Sequence, residues 1–309
     1  MFLAFCADAQ REGYNWYFGN NARVDFNSGT PQGYGSSGMN AGEGCASISD
    51  SNGNLLFYTN GEDVYGATGN TITSGLEGDP MSAQSSIVVP DPSSSSRYYI
   101  FTVPNWEQSY NPATSTKGLR YTIIDMSLNS NAGGVVSGYK NIVVNNSIRE
   151  QVTSVSDNNG GYWIVTHERG KKLTSNPNTY SAGCNTFLAY HLTPSGFNMV
   201  PVASVAGNII YCGKNRYGYL KFSQDGNMLC STLGGSAANS TVELYDFNKT
   251  TGIVSNPIVI ADNGDVKDSY SSEFSPDNSK LYVVAYNSGF INQYDISSGV
   301  SSIIKSSLI

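Results

Sequence analysis

The sequence predicts an all-β fold, a β-propeller of four-stranded blades, and three observations carry that prediction. The polar mass of the chain is largely uncharged: 13% of the 309 residues are charged and 33 are Gly, in a background rich in Ser, Asn and Thr, residues that favour turns over helix interiors. No window of useful length holds an apolar stripe with a 3.6-residue period. One short hairpin recurs along the chain, which a propeller requires and a β-sandwich does not.

The clearest copies of that hairpin are FSQDGNMLCS from Phe222 and FSPDNSKLYV from Phe274. Weaker ones are SISDSNGNLLFYT from Ser47, IVVPDPSSSSRYYIFT from Ile87 and SVSDNNGGYWIVT from Ser154. Each reads as a short apolar strand, an Asp, a loop of Gly, Asn or Ser, and a second strand. The aspartates Asp50, Asp91, Asp157, Asp225 and Asp277 are spaced by 41, 66, 68 and 52 residues. The shortest interval matches a blade period of about 40–45 residues, and the others leave room for inserted loops. An Asp in such a turn accepts a backbone N–H two residues on, so its recurrence is structural rather than catalytic.

A second pair of strands follows each hairpin. It is plainest in TVELYDFNKTTGIVSNPIVI and FINQYDISSGVSSII, with earlier versions in GLRYTIIDMSLNSNAGGVV and FLAYHLTPSGFNMVPVASV. Five blades are legible from about Gly44 onward. The N-terminal NWYFGNNARVDFNSGT reads as two strands, WYFG and ARVDF, forming the outer half of a closing blade. The inner half is then expected beyond Ile309, so the chain reads as a fragment of a seven-bladed ring.

The opening MFLAFCADAQ places an apolar run before Ala7-Asp8-Ala9, the features of a signal-peptide tail over residues 1–9, leaving 10–309 as the propeller. Of the remaining cysteines, Cys45, Cys184, Cys212 and Cys230 are too widely spaced for a CxxC metal clip. They read as buried small residues, a Cys184–Cys212 disulfide being the alternative. A net charge of −7 and a pI near 4.8 supply no basic field for nucleic acid or an anionic membrane. No apolar run is long enough to span a bilayer.

Several segments resemble a known family. NWYFGNNARVDFNSGTP, GCASISDSNGNLLFYTNG, YYIFTVP, GLRYTIIDMSLN, YWIVTHE and FSPDNSKLYV look like the propeller ectodomains of Bacteroidota cell-surface proteins, the gliding-motility-associated or type IX secretion cargo type, similar in fold to WD-repeat and YVTN propellers. The resemblance covers nearly the whole chain from Asn15. It implies a secreted or cell-surface protein, and it settles fold better than function.

Catalytic signatures are sparse. His167, in THERG, does not form H-E-x-x-H, and its neighbour Glu168 points to the opposite face of the strand. His191 lies in an alternating strand, and no G-x-S-x-G elbow occurs. Asp262, Asp265 and Asp268 are spaced like the start of a calcium loop, but the Gly and distant Glu fall elsewhere. The lead-ins to the innermost strands give Glu43, Gln84, Glu150, Arg216 and Glu273, a polar ring expected at one channel mouth. Such a ring could bind a divalent cation or a polar ligand, or simply line a wet channel. Trp106, in the loop NWEQSYNPATSTKG, is the aromatic least needed for packing, and the 21 Tyr suit both strands and contact faces.

These readings favour a binding scaffold for a protein or polysaccharide at the cell surface, without a cofactor. The alternative is a propeller lactonase or hydrolase whose metal would need Glu43, Glu150 and Glu273 to converge.

Overall fold

The computed structural model describes residues 11–105, 117–169, 185–208, 215–235, 240–262, 265, 269–286 and 289–309. Its strands build six antiparallel sheets, the blades of a β-propeller. Blade 1 holds β1 (Asn15–Phe18), β2 (Ala22–Asp25) and β3 (Gln32–Tyr34). Blade 2 holds β4 (Ala46–Ser49), β5 (Leu55–Thr59), β6 (Val64–Gly66) and β7 (Thr71–Thr73). Blade 3 comprises β8 (Ser86–Pro90), β9 (Arg97–Thr102), β10 (Leu119–Asp125), β11 (Gly134–Val135) and β12 (Ile142–Asn145). Blade 4 follows with β13 (Ile148–Ser156), β14 (Tyr162–Glu168), β15 (Thr186–Thr193), β16 (Gly196–Phe197) and β17 (Val202–Val205). Blade 5 contains β18 (Asn215–Tyr217), β19 (Leu220–Phe222), β20 (Met228–Gly235), β21 (Thr241–Asn248) and β22 (Ile253–Ala261). Blade 6 contains β23 (Ser269–Phe274), β24 (Lys280–Ala285) and β25 (Ile291–Asp295).

The five recurring hairpins are the first hairpins of blades 2 to 6, and their aspartates are turn caps. Asp50 accepts the N–H groups of Asn52 and Asn54, both at 2.9 Å. Asp157 accepts those of Asn159 and Gly161 at 2.7 and 2.8 Å, and Asp91, Asp225 and Asp277 each accept the N–H two residues on. Hydrogen bonds to a carboxylate make it a stronger acid: the Asn54 side chain first, then backbone N–H groups, lower Asp50, and against the opposing effect of burial His191 leads in lowering Asp157 and Ser223 in lowering Asp225.

Three expectations are corrected. The ring has six blades of three to five strands instead of seven blades of four. Strands split where the chain kinks: β11 and β12 share β10, and β16 and β17 share β15. The inner strand of blade 5 breaks into β18 and β19 around Gly218, whose φ is +141° and whose missing Cβ would sit 2.0 Å from the Thr232 carbonyl. Second, the N-terminal strands form a blade of their own. Asn15 and Tyr17 on β1 face blade 2, and the Asn15 amide donates to Ser49 Oγ and the Gly53 carbonyl at 2.9 and 2.8 Å. Third, the strand expected after Tyr294-Asp295 is a helix, Ser301–Ser306, which buries Ile304 fully while Val300 and Ile303 stay exposed. The edge of β25 is met instead by Ile309, which exchanges two backbone hydrogen bonds with Gln293 at 3.0 and 3.1 Å.

Five apolar clusters each join consecutive blades, from blades 1 and 2 to blades 5 and 6. Along β24 every second side chain, Leu281, Val283 and Ala285, is buried, the period-2 signature of a sheet packed on one face. The opposite face of blade 6 leaves Val284 and Ile291 exposed, as β1 does with Trp16 and Phe18. Cys45 and Cys230 are free thiols, pushed up by burial to about 11 and about 12. Residues 1–9, Trp106, Cys184 and Cys212 lie outside the described residues. Among the described residues no helix is long and apolar enough to cross a membrane.

Candidate functional site

The lead-ins to the innermost strands meet at one end of the axis. The chain before β4 is pinned there by two backbone bonds, Glu43 N–H to the Pro80 carbonyl and Gly44 N–H to the Ser82 carbonyl, both 2.9 Å. Gly44 is required by the approach itself, since a Cβ would lie 2.2 Å from the Ser85 nitrogen. The Ala83 N–H donates to Glu150 Oε2 at 3.2 Å. The Gln84 side-chain amide spans to blade 5, donating to the Leu220 carbonyl at 3.0 Å and accepting its N–H at 2.8 Å. Glu150 lies where β13 breaks register against β14 between Ile148 and Val152, an irregularity that can re-aim side chains toward the axis.

Blades 5 and 6 contribute tyrosines to the same place. The Thr232 hydroxyl accepts the Tyr219 N–H at 2.9 Å and donates to the Tyr270 carbonyl at 2.7 Å, fixing the two chains side by side. The rings of Tyr219 and Tyr270 lie 5.7 Å apart, and Tyr270, Tyr217 and Tyr286 form a triangle with centroids 5.6 to 5.8 Å apart. The Glu43 carboxylate lies beside the Tyr270 hydroxyl closely enough for that phenol to lower its pKa, although no hydrogen bond of full geometry joins them.

The electrostatics follow from burial among like charges. Desolvation raises the Glu43 pKa above the ordinary carboxylate value, Asp79 adding repulsion against the opposing pull of Tyr270. Glu62 is raised by the same two causes, burial and then Asp79. Tyr219 is pushed up to about 12, by burial first and then by Cys45, Glu43 and Glu150. Tyr270 is driven higher by burial, Glu43, Tyr219 and Glu150. Both phenols therefore remain protonated donors at physiological pH. Behind Glu150, buried Arg149 falls to about 10 through burial and Arg169, and stays a cation.

The five residues of the expected ring are distributed unevenly. Glu43, Gln84 and Glu150 come together at the axis. Glu273 is turned outward, half exposed, in an ion pair with Lys221 at 2.8 Å. Arg216 lies on β18, and its side chain is outside the described residues. Among the described residues no group of three His, Cys, Asp or Glu side chains is arranged to hold a metal. His167 is completely buried: its Nδ1 donates to the Glu168 carbonyl at 3.0 Å, and Phe187 packs edge-on at 4.7 Å. His191 pairs with Asp157 at 2.8 Å and stacks on Trp163 at 4.0 Å. Lys305 occupies the proposed calcium position, bridging Asp262 and Asp265 at 3.2 and 3.5 Å, while Asp268 is outside the described residues. A groove of about 660 Å³ lies between the turns of blades 4 and 5, but its Asp157 and Asn248 already cap their own turns, Asp157 accepting the Asn159 and Gly161 N–H groups and Asn248 those of Thr250 and Thr251.

Sequence reading missed Tyr219 and Tyr270, because a tyrosine in a strand is ordinarily a packing residue. The available signal was position: both immediately precede or open an innermost strand, as Glu43, Gln84 and Glu150 do.

No family model and no curated protein sequence matches the chain, so the resemblance to Bacteroidota cell-surface propellers rests on the quoted motifs. The fold has solved counterparts. The chain is similar to the periplasmic gluconolactonase of Pseudomonas aeruginosa at 11% identity and a TM-score of 0.50, covering 89% of this chain and 72% of that one. A Bacteroides uniformis protein described as a candidate 6-phosphogluconolactonase aligns at 12% identity and a TM-score of 0.49, over 89% and 73%. A luciferin-regenerating enzyme aligns at 11% and 0.43, over 98% and 77%. At such identities the likeness establishes the propeller and leaves the chemistry to the residues present.

Proposed function

We propose that the protein is a hydrolase of cyclic esters acting at the axial mouth. The observation that carries this reading is the half-buried Glu43 carboxylate set beside two phenols that stay protonated. A base must be near its working pH and within reach of the proton it takes, and desolvation moves Glu43 in that direction. Neutral donors aimed at a developing oxyanion stabilise it in a site that excludes water, the role assigned to the Tyr219 and Tyr270 hydroxyls.

In this scheme Glu43 takes a proton from water as the water oxygen bonds to the lactone carbonyl carbon. The carbonyl oxygen, now anionic, is held by the phenols. Collapse of the adduct breaks the ring C–O bond, and the proton on Glu43 passes to the departing alkoxide, giving an open hydroxy acid. Glu150, held by the Ala83 N–H, fixes the electrostatic frame around the tyrosines. No step runs through a metal.

The test is proton release from five- and six-membered lactones. Glu43→Gln is expected to lower kcat by about 10²–10⁴-fold, the usual contribution of a general base, with an unchanged melting curve. Wild-type protein that opens no lactone above the uncatalysed rate would refute the proposal. The tyrosine cluster favours a second reading, a carbohydrate-binding module on the same surface, and retention of a sugar ring without turnover would support it.

A further inference from the structure

We propose that the axial mouth selects an uncharged, polyhydroxylated ring and rejects phosphorylated or otherwise anionic substrates. The proposal rests on placing the substrate at this mouth, as the hydrolase reading does, and adds its chemical class. Two independent features point to it.

The first is the aromatic platform. Tyr217, Tyr219, Tyr270 and Tyr286 form one continuous patch. Tyr286 at its outer edge is 59% exposed. Flat rings of this kind accept the C–H face of a saturated ring, while their hydroxyls meet polar substituents. Beneath the patch, Gln151 is 1% exposed and donates to the Thr232 carbonyl at 3.0 Å. Its Oε1 has no hydrogen-bond partner among the described residues, and its amide bonds the threonine that holds both Tyr219 and Tyr270.

The second is the sign of the rim. Backbone bonds from the Glu43 N–H to the Pro80 carbonyl at 2.9 Å and from the Gly78 N–H to the Gly61 carbonyl at 3.0 Å bring Glu43 and Glu62 close to Asp79, which repels both, and Glu150 acts on the tyrosines. Asp79 keeps its place through the Met81 N–H and the Asn105 amide at 2.8 and 3.0 Å. Carboxylates accept hydrogen bonds from substrate hydroxyls and repel a phosphate. Of the cations nearby, Lys117 acts on Glu62, and Arg149 is wholly buried behind Glu150, with the like charge of Arg169 beside it.

The experiment uses ligands that cannot be hydrolysed, so binding is read apart from turnover. A neutral six-membered polyhydroxylated lactam and its phosphate monoester are titrated into the full chain, with binding followed by calorimetry. The neutral lactam is expected to bind at least tenfold more tightly than its phosphate ester at low salt, and added salt should narrow the gap because exposed charges are screened. Tyr286→Ala, an exposed change that leaves the fold intact, should weaken the neutral lactam at least fivefold. Glu62→Gln, which removes one rim charge, should narrow the ratio between the two ligands. Equal or tighter binding of the phosphate ester overturns the proposal, as does Tyr286→Ala without effect or failure of the neutral lactam to bind. Lactam binding without lactone opening would leave the selectivity standing and remove the hydrolase. Lactone opening with a preference for the phosphate ester would do the reverse.

Discussion

His167 gives the fold an acid-sensitive point whose size can be worked out. The ring is completely buried, its Nδ1 donates to the Glu168 carbonyl at 3.0 Å, and Nε2 has no hydrogen-bond partner among the described residues. Protonating Nε2 would place a cation in an apolar pocket near the Arg149 guanidinium. Burial first and Arg149 second lower the pKa from 6.5 to about 3. The folded pKa is depressed, so between these values the unfolded chain binds a proton that the folded chain refuses. Stability is therefore complete above pH 6.5 and is lost as pH falls. At pH 5, 1.5 units below the unfolded value, the loss from this residue is about 2 kcal/mol at 1.36 kcal/mol per unit. Urea unfolding of wild type and His167→Gln at pH 7 and pH 5 isolates it. Glutamine does not titrate and can still donate to the Glu168 carbonyl, and every other titrating group is common to both proteins. Wild type should lose about 2 kcal/mol more than the variant over this interval. Identical losses would refute the neutral buried imidazole.

Three further outcomes follow from the same geometry. Gly44→Ala places a Cβ 2.2 Å from the Ser85 nitrogen and 2.7 Å from the Ser82 carbonyl; it should cost about 1–3 kcal/mol in urea unfolding and displace Glu43, lowering lactone turnover beyond the stability effect. Asp157→Ala removes the acceptor for Asn159, Gly161 and His191 and should destabilise by about 1–3 kcal/mol, the cost of unsatisfied buried donors, with turnover unchanged because the turn lies away from the axial mouth. The ascending limb of kcat/KM against pH should have its midpoint above 4.5, the ordinary value for Glu43. Asp79→Asn should move that midpoint down by removing a like charge, and a limb that stays in place would argue against Glu43 as the base.

The hairpins were legible because a turn is a local object: an Asp followed by Gly, Asn or Ser carries its own hydrogen bonds, and five copies announce five blades. The blade count was less legible. Whether residues 15–34 pair with the far end or fold alone depends on how Asn15 and Tyr17 meet blade 2, a contact that no local pattern encodes. The helix Ser301–Ser306 was misread for a related reason. Val300, Ile303 and Ile304 suit either period when so few residues are available, and burial of Ile304 in the cluster shared by blades 5 and 6 decides between them.

The axial residues show the same division. Glu43, Gln84 and Glu150 lie together because each stands seven residues before the aspartate of its hairpin, and a propeller brings such lead-ins together whatever their sequence. Glu273 stands apart from them because it is not a lead-in: it is the fifth residue of β23, four before Asp277, and its side chain meets Lys221. A carboxylate can be aimed at the axis only by a backbone irregularity or a pinned lead-in. Glu150 has the break in β13, and Glu43 has the bonds to Pro80 and Ser82. Glu273 has neither, and its regular pairing with Tyr282 keeps it on the outer face. The same reasoning explains why chemistry at this mouth would fall to Glu43 and two strand-opening tyrosines. Glu43 and Tyr219 stand before their strands begin, and Tyr270 stands where β23 breaks register between Ser269 and Ser271.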